Sequence, residues 1–279
     1  MSARPGAGWI RGLRPARNVL DPGAAYACVH EQEPGLAPGD PPIGVSVVLL
    51  TNTECPWTCV MCDLWRNTLA EPTPPGALPT QVRAALDALP PARWIKLYNA
   101  GSFFDDRAVP PGDRGAIAEL VRGFERVIVE CHPRLVDQRA VAFAQQIDGQ
   151  LEVALGLETA DPDVLARLNK GMTLDDYRRA AAFLAEHDIA LRTFVLIQPP
   201  FQAAEQAVDG ARRAAELAFA CGSASVSLIP TRAGNGAMER LIDDGLVTLP
   251  TQQTIAEVWE ACRGLGRVHL DGWGAVPDA

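Results

Sequence analysis

Residues 45–62 read VSVVLLTNTECPWTCVMC: an apolar run that stops at Thr51, then Cys55, Cys59 and Cys62 in the spacing C-x3-C-x2-C. A continuous aliphatic run with polar bounds is the pattern of a strand buried on both faces, as in a parallel sheet. Parallel sheets and barrels bind ligands at the C-terminal ends of their strands. The loop therefore brings three thiols to the mouth of a site. The chain has seven cysteines, an odd number without an export signal, which reads poorly as a disulfide framework and better as metal ligands or buried thiols. Cys28, Cys131, Cys221 and Cys262 are scattered singly, whereas the clustered trio calls for a metal. Iron–sulfur clusters are normally held by four thiolates, and three leave one iron free to bind something else. Structural zinc is the alternative, with Asp63 or a distant Cys or His as the fourth ligand.

Outward from this loop, short β-type runs alternate with longer amphipathic segments. Strands are expected at 45–51, 94–99, 126–130, 151–156, 191–197 and 224–229, and helices at about 79–89, 114–124, 136–147, 173–187, 203–220 and 251–264. Pro79-Thr80 opens the first helix, Thr173 with Asp176 resembles a capping box, and Thr251 opens the last. Strict alternation implies an α/β fold with parallel strands and right-handed crossovers. The expected architecture is a partial (β/α)6 TIM-like barrel, because six units fall short of the eight that close a full barrel. A doubly wound sheet is the competing architecture. Residues 1–42, rich in Gly, Pro and Arg, read as an irregular N-terminal extension, 43–245 as the barrel, and 246–279 as a C-terminal helix and tail.

The 279 residues carry 25 Lys and Arg against 34 Asp and Glu, a net charge of −9, with 48% hydrophobic residues. That profile fits a globular protein with a sizeable core and excludes disordered and fibrous classes. No apolar stretch approaches the roughly 20 residues of a membrane helix, and the N-terminus lacks the apolar core of a secretory signal. A cytoplasmic setting without a membrane partner is expected. The acidic balance argues against a large nucleic-acid surface, since duplex affinity is mostly phosphate neutralisation. Arg4, Arg11, Arg14 and Arg17 precede the first acid, Asp21, and read as a solvated basic arm.

The cysteine loop after the first barrel strand resembles the hallmark of the radical S-adenosylmethionine (SAM) enzymes. The resemblance spans roughly 43–245. It implies that Cys55, Cys59 and Cys62 bind three irons of a [4Fe–4S] cluster while SAM chelates the fourth, and that an external electron donor such as flavodoxin or ferredoxin drives SAM cleavage to a 5′-deoxyadenosyl radical, which abstracts a substrate hydrogen. Met61 stands where the family usually has an aromatic residue near adenine; a flexible thioether supplies similar apolar surface. Ala100, Gly101 and Ser102 correspond to the glycine-rich turn that receives the SAM amino group. Glu158 is a ribose or substrate candidate, and Gln198 with Leu228 and Ile229 would flank adenine. The alternatives are a radical SAM methyltransferase and a zinc or iron–sulfur scaffold without catalysis.

Within that superfamily, Lys96 to Asp105, Leu151 to Thr159, Leu168 to Thr173 and Pro199-Pro200-Phe201 look like the subfamily of archaeosine synthase and, more distantly, of the catalytic subunit of Elongator. This resemblance implies a modified 7-deazaguanine nucleobase in tRNA as a substrate, beside the alternative of a small metabolite. On the substrate side, Glu130, Cys131 and His132 follow the third strand. Cys131 is a candidate hydrogen-atom donor and His132 a candidate acid or base. Lys170, Arg192 and Arg232 are candidate anion contacts. His30, His187 and His269 have no ligand spacing, and the scattered cysteines form no auxiliary-cluster motif, so one cluster per chain is expected.

Overall fold

The computed structural model describes residues 5–37 and 39–271. The chain runs α1 (Ala7–Gly12), β1 (Ala27–Glu33), β2 (Ile43–Leu50), α2 (Ala77–Ala88), β3 (Trp94–Asn99), α3 (Pro111–Leu120), β4 (Arg126–Cys131), α4 (Gln138–Ala144), β5 (Gln150–Glu158), α5 (Pro162–Arg167), α6 (Leu174–Glu186), β6 (Ala190–Ile197), α7 (Ala207–Ala220), β7 (Ser225–Pro230), α8 (Ala237–Asp243), α9 (Gln252–Cys262) and β8 (Val268–Leu270). The eight strands form one sheet in chain order, curled into a half-barrel. Among the described residues, only β1 is antiparallel to its neighbour.

Side-chain alternation divides each strand between two layers. Val45, Val47 and Leu49 of β2 line the barrel interior with Trp94, Ile128 and Ala154. Val48 and Leu50 face outward into the large core shared with the helices, beside Ile95, Leu97, Val127, Val129, Leu155 and Leu228. The six expected parallel strands are β2 to β7, and the six expected helices are present. Thr173 accepts from the Asp176 N–H at 3.2 Å while its own N–H donates to Asp176 Oδ2 at 2.9 Å, completing the capping box. The first helix starts earlier than expected, at Ala77, where Gly76 at φ +82 forms the entry and its N–H donates to Asp113 Oδ1.

The N-terminal segment corrects one expectation. Residues 27–33 are an edge strand and not irregular chain, in register from Ala27 against Leu49 to Glu33 against Ile43. Its sequence, ACVHEQE, lacks apolar alternation because only Glu33 is buried. Sequence signals also missed β8, three residues long, and the short helices α1, α5 and α8. Residues 272–279 of the expected tail lie outside the described residues.

Glu33 organises the barrel floor. Arg192 donates through Nη1 and Nη2 to its carboxylate at 2.7 and 2.9 Å and through Nε to Glu152 at 2.6 Å. Lys96 pairs with Glu33 at 2.7 Å and with Glu31, Arg126 with Glu152 at 2.5 Å, and Arg267 with Glu33 at 2.8 Å. The Arg126 and Arg267 guanidiniums lie 4.5 and 4.9 Å from the Trp94 ring centroid. Burial is tolerable here because each charge is paired. Burial pushes the Glu33 and Glu152 carboxyls up, but the Arg192 guanidinium and its charged neighbours outweigh it and hold both below the usual range. Since β1 and β8 end the sheet on opposite sides, the Glu33–Arg267 pair bridges the open seam by side chains.

Candidate active site

The cysteine loop leaves the C-terminal end of β2 and is gripped on two sides. From the β5–α6 connection, Leu168 accepts from the Val60 N–H at 2.9 Å and Asn169 Nδ2 donates to the Thr58 carbonyl at 2.7 Å. From the β7–α8 connection, Asn235 Nδ2 donates to the carbonyls of Val60 and Cys62 at 2.7 and 3.1 Å, and Arg232 pairs with Asp63 through two bonds of 2.9 and 3.0 Å. Trp57 stacks flat on His132, with ring centroids 3.5 Å apart and planes 9° from parallel. Glu54, next to Cys55, accepts from Arg14 and Arg17 at 2.7 Å each. Arg14 and Arg17 of the basic arm expected to be solvated are thus tied to the loop by the acid immediately before Cys55, while Arg4 lies outside the described residues.

A cavity of about 960 Å³ opens beneath the loop, large enough for a drug-sized ligand by the usual range of pockets. Cys55, Cys59, Cys62, Met61, Ala100, Gly101, Ser102, Glu130, Glu158 and Ile229 all contribute to its wall. Burial pushes each of the three thiols up to about 12. Among the described residues, no three His, Cys, Asp or Glu side chains converge on a point where one metal ion could take them all. Lys170 Nζ donates to Glu158 Oε1 at 2.7 Å inside the same wall. Burial would lower the lysine, but the Glu158 charge outweighs it and keeps the ammonium protonated. Both amide atoms of Asn52 and of Asn99 are buried without a hydrogen-bond partner among the described residues. Each Nδ2 lies 3.3 Å from where a Cβ on Gly101 would stand.

Several expected residues are placed differently. Leu228 faces the helices and Gln198 donates to the Thr248 carbonyl and hydroxyl, so neither side chain lines the cavity. Leu228 and Ile229 are neighbours on one strand, and pleating sends them to opposite faces. Cys131 packs into the helix-facing core and also borders the cavity, with its thiol donating to the His132 carbonyl. His132 has both ring nitrogens engaged: Nδ1 accepts from the Arg134 N–H at 3.2 Å, which leaves Nε2 to donate to the Lys170 carbonyl at 3.0 Å. Burial, reinforced by Lys170, pushes it down to about 3, so a neutral ring supports the loop. Glu130 does face the cavity, and burial raises it to about 8 against the opposing effect of the Asn99 N–H. Arg192 belongs to the floor and Arg232 to the loop. Sequence reasoning missed Trp57, Asn169 and Asn235. The first two stand inside quoted motifs, whereas Asn235 carries no local signal.

Among the described residues no helix is long and apolar enough to cross a membrane. No family model matches the chain. An archaeosine synthase subunit beta of Methanosarcina acetivorans is 26% identical over 225 residues, covering 76% of this chain and 64% of that protein. Its namesake in Thermococcus kodakarensis is 32% identical over 124 residues, 42% of this chain and 38% of that one. The chain thus spans less than two thirds of the length of these relatives. Among solved structures, Elp3 of the archaeon Methanocaldococcus infernus matches with a TM-score of 0.54 at 15% identity, over 68% of this chain and 51% of that one. The radical SAM methyltransferase TsrM from Kitasatospora setae, solved with cobalamin and a [4Fe–4S] cluster, matches with a TM-score of 0.51 at 13% identity, over 71% and 36%. In sequence the chain is similar to archaeosine synthase beta subunits, and in fold its half-barrel is similar to those of Elp3 and TsrM.

Proposed function

We propose that this chain is a radical SAM enzyme in which Cys55, Cys59 and Cys62 hold a [4Fe–4S] cluster and the adjoining wall holds SAM. The observation that carries the reading is the meeting of three half-buried thiols and the Gly101 turn on one cavity. The donor set fits. A coordinating metal displaces a thiol's proton to solvent outright, whatever burial does to the free thiol. Zinc would need its ligands to converge at about 2.3 Å on one ion, whereas a cluster takes one thiolate per iron and so spreads them. The orphaned amides of Asn52 and Asn99 are costly as they stand, and the polar methionine end of SAM offers them partners.

When bound, cluster and SAM supply one-electron reductive chemistry able to remove a hydrogen atom from a substrate carbon. The chain's own residues bind and orient. Met61 and Ile229 present apolar surface to adenine, and Glu158, with Oε1 on Lys170, keeps Oε2 for a ribose hydroxyl. Glu130, neutral below about 8, offers a proton to a substrate acceptor from the cavity wall. The electron comes from an external donor such as flavodoxin or ferredoxin. The likeness to archaeosine synthases favours a modified 7-deazaguanine nucleobase of tRNA as substrate.

The test is anaerobic reconstitution with iron and sulfide, then dithionite and SAM, measuring iron per chain and 5′-deoxyadenosine. About four irons per chain with deoxyadenosine formed is the expected result. Replacing Cys55, Cys59 and Cys62 together by Ala should abolish both; full SAM cleavage by that variant would overturn the assignment.

A further inference from the structure

Local backbone and packing costs converge on the Lys170–Glu158 ion pair. Glu158 has φ +68, a left-handed conformation unfavourable for a residue with a Cβ, and β5 shifts register between Gly156 and Glu158. Lys170 lies between two further left-handed residues, Asn169 at φ +56 and Gly171 at φ +72. Facing the pair, Gly156 lacks the side chain that would fill the same space: a Cβ there would stand 2.2 Å from Glu158 Oε1 and 2.6 Å from Lys170 Nζ. Such strain persists where the surrounding structure over-determines it, and it clusters at functional sites. Both side chains are 10% exposed and share the cavity wall with Cys55 and Cys59. The proposed function gives the lysine no role beyond its bond to Glu158.

We propose that Lys170 is the counter-charge of the iron–sulfur cluster, held in place by Glu158, and that the pair sets how readily the cluster accepts an electron. The inference rests on the radical SAM reading. Reduction adds one negative charge to the cluster, so a neighbouring ammonium stabilises the reduced form and a carboxylate destabilises it. The buried setting strengthens both effects. Net charge is one of the quantities that sets cluster potentials. Asn169, next to Lys170, donates to the Thr58 carbonyl beside Cys59, so the lysine's segment is fixed against the cysteine loop.

An anaerobic redox titration of the reconstituted protein tests this, read by the electron paramagnetic resonance signal of the reduced cluster, with iron per chain measured in parallel. Lys170→Met should lower the reduced-to-oxidised ratio at fixed potential at least tenfold, about 59 mV for a one-electron couple. Glu158→Gln, close in shape but uncharged, should move the midpoint the opposite way. Lys170→Arg should stay near the parent. Opposite signs are what charge produces, whereas a merely structural pair would change iron uptake or shift both variants alike. If Lys170→Met does not fold, Lys170→Gln and Glu158→Gln carry the same comparison. Parental midpoints at full iron content, or shifts of one sign, overturn the inference. A parent chain that takes up no iron overturns the proposed function as well, and the iron measurement tells the two failures apart.

Discussion

Trp57 lies flat on His132 because Gly171 gives it room. A Cβ at Gly171 would stand 2.5 Å from Trp57 Cδ1, and the residue's φ of +72 is one that glycine adopts freely. Gly171→Ala should therefore cost about 1–2 kcal/mol from backbone conformation alone, with a further loss as the indole is pushed off the imidazole. Urea unfolding measures the cost, and an unchanged midpoint would show that the ring moves aside freely. Glu130 gives a second residue-scale prediction. Its carboxyl, raised to about 8 by burial, is protonated at neutral pH and loses its proton as pH rises through that value. If it donates a hydrogen bond to substrate, kcat/KM should fall above about pH 8, and Glu130→Gln, which keeps a donor, should flatten that limb. A parental limb in the variant would remove Glu130 from the substrate. That the cysteine trio, the Gly101 turn and Glu158 would come to one cavity wall was legible in the sequence, the trio from its place after a strand and the other two from the family resemblance. The cavity-facing member of a neighbouring pair was not: Leu228 and Ile229 look alike as sequence, and only the pleat decides between them.

At the scale of elements, the six parallel strands were legible because apolar runs alternate with helical patterns. The floor inside them was not. Arg192 reads locally as a polar interruption of β6, and its partner Glu33 is 159 residues away on a strand with no apolar alternation. Only the curling of the sheet brings them together. Glu33→Gln would leave Arg192 and Lys96 short of a buried partner, and breaking a buried pair typically costs about 3–5 kcal/mol. The pH dependence has a definite sign. Despite burial, Arg192 and its neighbours hold the Glu33 and Glu152 carboxyls below their ordinary value, so the unfolded chain binds protons more readily than the folded one. The stabilisation is complete above the ordinary glutamate pKa of about 4.3 and is lost as pH falls through that value toward the folded ones. Unfolding midpoints between neutral and acid pH should show this loss, with a shallower slope in Glu33→Gln. Parallel slopes in parent and variant would mean that other carboxylates govern acid unfolding.

Across the whole molecule, the segment before Ile43 acts at both ends of the barrel. Its strand supplies Glu33 to the floor and the seam, while Arg14 and Arg17 hold Glu54 beside the first cysteine at the mouth. Arg14 also lies 4.6 Å over the Trp65 ring, and Arg17 donates to the Thr68 and Leu69 carbonyls. Composition concealed this, because a run of Gly, Pro and Arg looks the same whether solvated or docked, and its partners lie about 40 residues downstream. The two functions can be separated by experiment. Removing residues 1–42 takes away Glu33 and should abolish cooperative unfolding. Replacing Arg14 and Arg17 together by Ala leaves the floor untouched and should keep the unfolding midpoint within about 1–2 kcal/mol of the parent, since partly exposed ion pairs contribute little. The same double variant frees Glu54 and loosens the chain next to Cys55, so its reconstituted cluster should lose iron to a chelator several-fold faster than the parent's. Parental iron release would mean that the grips of Asn169 and Asn235 suffice to hold the loop, and that the arm serves the barrel only through β1.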